Sequence, residues 1–202
     1  MTKAEFAARL KRACASVLAA EDELTEIDSR FGDADHGLTM AKIAGAISTA
    51  VDQAEGGIQA MLDDAAMAVM TLNGGSAVPL WNTWLDGMQE EAPEGNEIDV
   101  PGLQAIFARA QETLDDMSGA KVGDKTMMDA LISASRAIIS FQGSDEAALF
   151  AAAAQAAAQG AEDSKRFVSK FGRAKSYGEK TIGTPDAGAV SMSYFFQGLA
   201  QA

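Results

Sequence analysis

Residues 28–37 read Asp-Ser-Arg-Phe-Gly-Asp-Ala-Asp-His-Gly and bring three carboxylates, two glycines and the chain's only histidine into one short stretch. Asp28, Asp33 and Asp35 are the groups with chemistry to offer. Two like charges about 4 Å apart repel by about 1 kcal/mol in water, and by several times that near a protein. Three held together need a cation, strong hydrogen bonding or raised pKa values. Hard divalent cations such as Mg2+ and Ca2+ take oxygen ligands of this kind. An EF-hand needs ligands at loop positions 1, 3 and 5, glycine at 6 and glutamate at 12. Counted from Asp33, positions 5, 6 and 12 hold Gly37, Leu38 and Ala44, which excludes that motif. A magnesium loop remains. His36 beside it is a phosphate contact or a donor behind the ligands before it is a ligand, because magnesium prefers oxygen.

Three more glycine-bearing segments stand at helix junctions. Asn73-Gly74-Gly75-Ser76-Ala77-Val78-Pro79 precedes a helix, and backbone N–H groups at such a turn suit an anion. Gly-Gly turns between helices are also common without one. Gly119-Ala120-Lys121-Val122-Gly123-Asp124-Lys125-Thr126-Met127 is superficially like the end of a P-loop, but Asp124 separates Gly123 from Lys125 and no strand precedes it. Residues 172–189 place Arg173, Lys175 and Lys180 in a glycine-broken loop of an otherwise acidic chain. An arginine there can fork onto a phosphate.

Helices must position these loops, because helical periodicity dominates and no alternating strand pattern appears. Thr2-Lys3-Ala4-Glu5 has capping-box spacing, followed by Phe6, Leu10, Val17 and Leu18 on one face. Leu24 and Ile27 continue the signal to Asp28. Met40, Ile43, Ile47 and Val51 form the next stripe, and Ile58, Met61, Leu62, Ala65 and Val69 the one after. Pro79 opens a helix with Leu80, Trp81, Trp84, Leu85 and Met88 facing inward. Residues 91–99 read as an exposed loop. Pro101 starts a helix carrying Leu103, Ile106, Phe107, Ala110 and Leu114; Met127, Leu131, Ile138 and Phe141 mark another. Ser144 is the expected cap of a long alanine-rich helix from Asp145 to about Phe171. Residues 172–185 read as irregular, and a final helix runs from Asp186 to Ala202. The sum is an all-α chain of about eight helices, with no linker or repeat to divide it.

Composition narrows the function. A chain of 202 residues suffices for one domain with a real core. A net charge of −13 argues against a nucleic-acid backbone or an anionic membrane as partner. Small phosphorylated ligands stay possible, since divalent metals can bridge them. The one cysteine, Cys14, forms no disulfide within the chain and reads as buried filler. No signal peptide or membrane-spanning run is apparent, so the expected location is cytoplasmic.

In order and spacing these segments resemble one family, the nucleotide-binding L subunit (DhaL type) of dihydroxyacetone kinases, from about Leu24 to Ala189. The resemblance rests on Asp28-x3-Gly-Asp33-Ala-Asp35-His-Gly, on Gly123-Asp-Lys-Thr-Met127, and on Gly172-Arg-Ala…Gly183-Thr-Pro-Asp186-Ala-Gly188-Ala. It implies one domain over residues 1–202, a closed barrel of eight antiparallel helices with the nucleotide site at one end. It implies ADP or ATP clamped through a pair of Mg2+ ions by Asp28, Asp33 and Asp35. His36, Leu38 and Thr39 would meet the phosphates; Gly75, Ser76, Ala77, Gly119 and Met127 would line phosphate and base; Arg173 and Asp186 would close the site. The implied chemistry is phosphoryl transfer to a short ketose held through a histidine of a separate K subunit. The only histidine here is His36, so the chain resembles the donor half alone and would need that partner, with a phosphotransferase-system M subunit as a further one. Relatives commonly read Gly-Ala-Ser-Gly-Pro-Leu where this chain has Gly75-Ser76-Ala77-Val78-Pro79-Leu80. Val78 adds bulk there, which allows a paralogue acting on a four-carbon ketose or a regulatory nucleotide- or metal-binding relative without efficient transfer. Whether the barrel interior is packed or holds an apolar guest is not readable from sequence.

Overall fold

Side-chain caps and apolar stripes set most of the helix boundaries. Thr2 closes a full capping box with Glu5 and starts α1 (Lys3–Ala19). Asp99 accepts from the Gly102 N–H at the start of α6 (Val100–Ser118), and Asp186 from the Ala189 N–H at the start of α9 (Ala187–Ala200). The computed structural model describes Met1–Gln201. It also contains α2 (Glu21–Ser29), α3 (His36–Gln53), α4 (Ile58–Met70), α5 (Ala77–Glu90), α7 (Met128–Ile139) and α8 (Glu146–Asp163), with no strand among the described residues.

Three boundaries differ from the sequence expectation. Helix α5 starts at Ala77, two residues before Pro79, because a first-turn proline gives up an N–H that has no helical partner anyway. The cap of α8 is Asp145, whose carboxylate accepts from the Ala147 N–H at 2.9 Å, and not Ser144. That helix ends at Asp163, well short of Phe171. Its last turn is consumed: the Ser164 hydroxyl donates back to the Ala161 carbonyl at 2.6 Å, and the Ser164 carbonyl accepts from the Lys125 ammonium at 2.6 Å. Short 3-10 segments follow at Ser164–Arg166 and Arg173–Thr181, so residues 172–185 are only partly irregular.

Eight helices form a closed ring in the order α1, α3, α4, α5, α6, α7, α8, α9 and back to α1, with α2 packed on α3 and α9. Two glycines permit close approaches: a Cβ at Gly198 would lie 2.4 Å from the Ala13 Cα, and one at Gly160 would lie 2.2 Å from the Asp129 carbonyl oxygen. The predicted stripes face inward, except that Leu18 is exposed. Trp81, Trp84, Phe107, Phe150, Phe195 and Phe196 fill the axis with mostly edge-to-face contacts, Trp81 and Phe195 having centroids 5.1 Å apart. A small void between Cys14, Met40, Ile47, Trp81 and Phe195 has no room for a water molecule, so side chains pack the interior there. No described helix is long and apolar enough to cross a membrane.

Alternation of helix direction sorts the loops onto two ends. Residues 54–57, 91–99 and 140–145 share one end with the N-terminus, where the Met1 amine donates to the Ile98 carbonyl at 2.6 Å and pairs with Glu146 at 2.8 Å. Residues 30–35, 71–76, 119–127 and 164–186 gather at the other. All four sequence segments with candidate chemistry lie at that second end.

Candidate functional site

The aspartate loop begins where α2 unwinds. The Gly32 N–H donates to the Asp28 carbonyl at 2.6 Å, and the Asp35 N–H donates to Asp28 Oδ2 at 3.2 Å, folding the loop back over Asp28. Gly32 is required by contact, since a Cβ there would lie 2.0 Å from Asp28 Oδ1. Gly37 is required likewise, with a Cβ 2.1 Å from Thr25 Oγ1. The residue with left-handed backbone is Ala34, at φ 60°. Gly32 and Gly37 thus serve close contact and not backbone freedom, since neither adopts positive φ.

One carboxylate oxygen each from Asp28, Asp33 and Asp35 lies within 4.8 Å of the others. Burial and the charges of Asp33 and Asp28 push the Asp35 carboxyl above its usual pKa, with Arg173 opposing them. Arg173 Nη2 lies 2.6 Å from Asp33 Oδ2, and the Tyr177 ring packs on Phe31 with centroids 5.2 Å apart. The 164–186 segment thus reaches across the barrel mouth to the aspartate loop. An all-oxygen, acidic donor set at this spacing fits a hard divalent cation.

The helix N-termini supply the opposite polarity. Helices α3, α5, α7 and α9 all begin at this end; Asp186 caps α9 and the Thr126 hydroxyl accepts from the first N–H of α7 at 3.2 Å, which leaves α3 and α5 without a side-chain cap. At the far end α1, α6 and α8 are capped by side chains, and α4 gives its first two N–H groups to the Gly95 and Pro93 carbonyls. Unpaired first-turn N–H groups and the positive end of the helix dipole favour an anion, so cation ligands and anion donors are set side by side.

The other expected site residues divide into two layers. Gly75, Ser76 and Gly119 are exposed, and a Cβ at Gly75 or Gly119 would meet nothing within 4 Å, leaving open space against both turns. Leu38 is 51% exposed on the first turn of α3. Thr39 is buried and faces Gly74, and Ala77 is half-buried against the core. His36 turns inward: its Nε2 lies 3.2 Å from Ser191 Oγ on α9, and burial lowers its pKa, favouring the neutral ring. Met127 is buried against Gly188, whose added Cβ would lie 3.1 Å from the Met127 Cβ. Asp186 Oδ2 accepts from the Ala189 N–H at 2.8 Å, and burial raises its pKa to about 7. Val78 points into the core beside Gly74, away from the open face of the turn.

Sequence reasoning passed over the residues that join the loops. Lys125, only 3% exposed, donates to the carbonyls of Ser164 at 2.6 Å and Thr184 at 2.5 Å. Fully buried Asp129 accepts from the N–H groups of Gly123 at 2.6 Å and Thr126 at 2.7 Å. Lys170 pairs with Asp124 at 2.6 Å. The available signal was the density of charge in Asp124-Lys125-Thr126-Met127-Met128-Asp129; nothing local named the distant carbonyls.

Comparison with known proteins agrees with this arrangement. The sequence pattern of the DAK2 domain matches residues 30–201. An L-erythrulose kinase of Pectobacterium atrosepticum is 34% identical over 96% of this chain, and a D-erythrulose kinase of Mycolicibacterium smegmatis is 34% identical over 94%. The chain spans only 34% of the length of each. The ADP-binding subunit DhaL of the PEP-dependent dihydroxyacetone kinase of Escherichia coli is 28% identical, covering 94% of this chain and 92% of that protein. Among solved structures, the dihydroxyacetone kinase of C. freundii in complex with AMP-PNP and Mg2+ superposes with a TM-score of 0.72 at 24% identity, over 98% of this chain and 33% of that one. With the helical ring and the loop motifs in agreement, the chain belongs to the DAK2-domain family, the DhaL-type fold of dihydroxyacetone and erythrulose kinases.

Proposed function

We propose that the whole chain acts as one phosphoryl-donor unit of a short-ketose kinase, holding ADP or ATP with Mg2+ at the barrel end that carries Asp28, Asp33 and Asp35. The observation that carries the reading is the pairing of that carboxylate trio with the uncapped N-termini of α3 and α5 on the same face. Bound Mg2+, two ions by the family resemblance, would neutralise charge on the phosphate oxygens and on the group in transfer. The chain's own residues do the positioning. Asp28, Asp33 and Asp35 supply ligands, and neutral His36 orients at the start of α3. The turn at Gly75, Ser76 and Ala77 and the first turn of α3 at Leu38 offer N–H groups to phosphate oxygens, while the Thr39 N–H is held by the Asp35 carbonyl at 2.9 Å. Gly119 and Met127 bound the nucleotide, Arg173 brings an exposed positive charge, and Asp186 holds the start of α9.

The acceptor ketose would sit on a second body, either a separate K subunit or a K-type portion of a longer chain, as the threefold greater length of the erythrulose kinases suggests. An M subunit of a phosphotransferase system is the donor partner if ADP is recharged in place. A four-carbon ketose is favoured over dihydroxyacetone by the higher identity to erythrulose kinases. The regulatory alternative loses its main support, because Val78 turns into the core.

The test adds purified K-type partner, erythrulose or dihydroxyacetone, Mg2+ and ATP, or ADP with the phosphotransferase donor, and follows ketose phosphate. Product that disappears with Asp35→Asn, while helical circular dichroism is kept, is the expected result. Nucleotide binding without product from any ketose or donor would favour the regulatory reading, and unchanged turnover by Asp35→Asn would remove the metal assignment.

A further inference from the structure

Lys125 is a buried cation that none of the roles above uses. It stands in the loop between α6 and α7 with a left-handed backbone, φ 59°, a strained conformation for a residue with a side chain. Its ammonium spans two places far apart in sequence, the Ser164 carbonyl at the end of α8 and the Thr184 carbonyl just before α9. Those two carbonyls bracket the segment that carries Arg173. The same loop is braced from below by Asp129, which takes the Gly123 and Thr126 N–H groups, and from outside by Asp124, which accepts from Lys170. The bracket is closed by the Ser164 hydroxyl accepting from the Asp186 N–H at 2.9 Å and by the Gly183 N–H donating to the Lys165 carbonyl at 2.7 Å. Between the two anchors the segment is tied down at Lys170, which reaches Asp124 through its N–H and its ammonium, at Arg173 on Asp33 and at Tyr177 on Phe31, and Gly172, Gly178 and Gly183 all adopt positive φ.

We propose that Lys125 is a positioning residue for the phosphoryl-donor site, pinning both ends of the 164–184 segment so that Arg173 is delivered to the aspartate cluster. This rests on the function proposed above. A buried ammonium gains most when its donors meet carbonyls in fixed geometry, since an unpaired one is strongly disfavoured. Removing the charge leaves the Ser164 and Thr184 carbonyls without their donor, and the two ends of the segment are then held together only by the Asp186–Ser164 and Gly183–Lys165 hydrogen bonds. Arg173 then loses its address while Asp28, Asp33 and Asp35, held by α2 and α3, keep theirs.

The test is a double-mutant cycle of Lys125→Met and Arg173→Gln on the full chain, read by titration with ADP in excess Mg2+ and by Mn2+ binding without nucleotide. Lys125→Met is expected to weaken ADP by about tenfold, the size of one lost charge-assisted hydrogen bond. The double variant is expected to bind no more weakly than Arg173→Gln alone, and Mn2+ binding should stay unchanged or tighten, because Arg173 no longer competes for Asp33. Amide exchange should rise in residues 165–184 and not in α3. Multiplying effects of the two substitutions, wild-type ADP affinity in Lys125→Met, or parallel loss of Mn2+ and ADP would each overturn the proposal. If Lys125→Met does not fold, Lys125→Gln goes through the same cycle; failure of both to fold would make Lys125 a determinant of the whole fold and overturn the assignment. Should the wild-type chain bind no ADP at all, the proposed function falls. The exchange data then decide the positional role alone, with unchanged protection of residues 165–184 overturning it.

Discussion

Asp35 shows how a single carboxylate can oppose folding and serve binding. It is crowded by Asp33 and Asp28, and its pKa is raised by burial first and by those charges second. Asp35→Asn should therefore leave the metal-free chain as stable as the wild type or more so, by about 1 kcal/mol or less for an exposed group. The same substitution should abolish the rise in Tm that Mg2+ with ADP produces in the wild type. Parallel thermal melts with and without ligand check both signs, and a full ligand-dependent rise in Asp35→Asn would contradict the site. Gly32 makes a second residue-scale case. A methyl group there must displace the Asp28 carboxylate, so Gly32→Ala should weaken Mn2+ binding in a paramagnetic-resonance titration while the helical signal stays intact. Equal Mn2+ affinity would mean that Asp28 is not a ligand.

Helix contacts are set by small residues at a few crossings. Gly198 on α9 lies against Ala13 of α1, the contact that closes the ring. Gly198→Ala is expected to cost about 1–3 kcal/mol through overpacking, and so to lower Tm by several degrees. Unchanged melting would mean that the two helices part easily and that the ring is looser than its packing indicates. Capping follows the same logic at this scale. Side-chain caps satisfy the N-termini of α1, α6 and α8 at the far end, and the Gly95 and Pro93 carbonyls take the first two N–H groups of α4. At the site end α3 and α5 lack side-chain caps, and under the proposed function their open donors meet the phosphates. The helices themselves were legible in the sequence because apolar stripes repeat along them. Their ends were less so: α8 stops at Asp163 because Lys125, distant in sequence, takes the Ser164 carbonyl.

The molecule as a whole has a formal net charge of −13, and among the groups counted in it are the buried Lys125 and Asp129 and the half-buried Asp186. Asp186 makes this group of charges sensitive to pH. Its folded pKa of about 7 lies above the ordinary 3.8, so between those values the folded chain holds a proton that the unfolded chain has released. Stability from this group is fully present below about pH 4 and is lost as pH rises through 7. Tm of the ligand-free protein should fall between pH 5 and pH 8, with a shallower fall in Asp186→Asn, which keeps a capping side chain and removes the titration. Repulsion from the net charge acts on both proteins alike, so the difference between the two profiles isolates Asp186. Identical profiles would show that its carboxylate ionises normally.

The amino-acid sequence by itself determined the carboxylate trio, the helical class and the four loops gathered at one end. Carboxylates along one short loop are close whatever the rest of the chain does, and helix periodicity is a local property. The order of motifs was enough to assign the family resemblance that the fold and the comparisons bear out. Tertiary structure decided what distance along the chain conceals. It showed that Gly32 and Gly37 are there for contact, that Val78 faces the core, and that the barrel is packed. It also brought Lys125 to Ser164 and Thr184, and Arg173 to Asp33. Those pairings join residues 39 to 140 positions apart, and only the closing of the ring makes them neighbours.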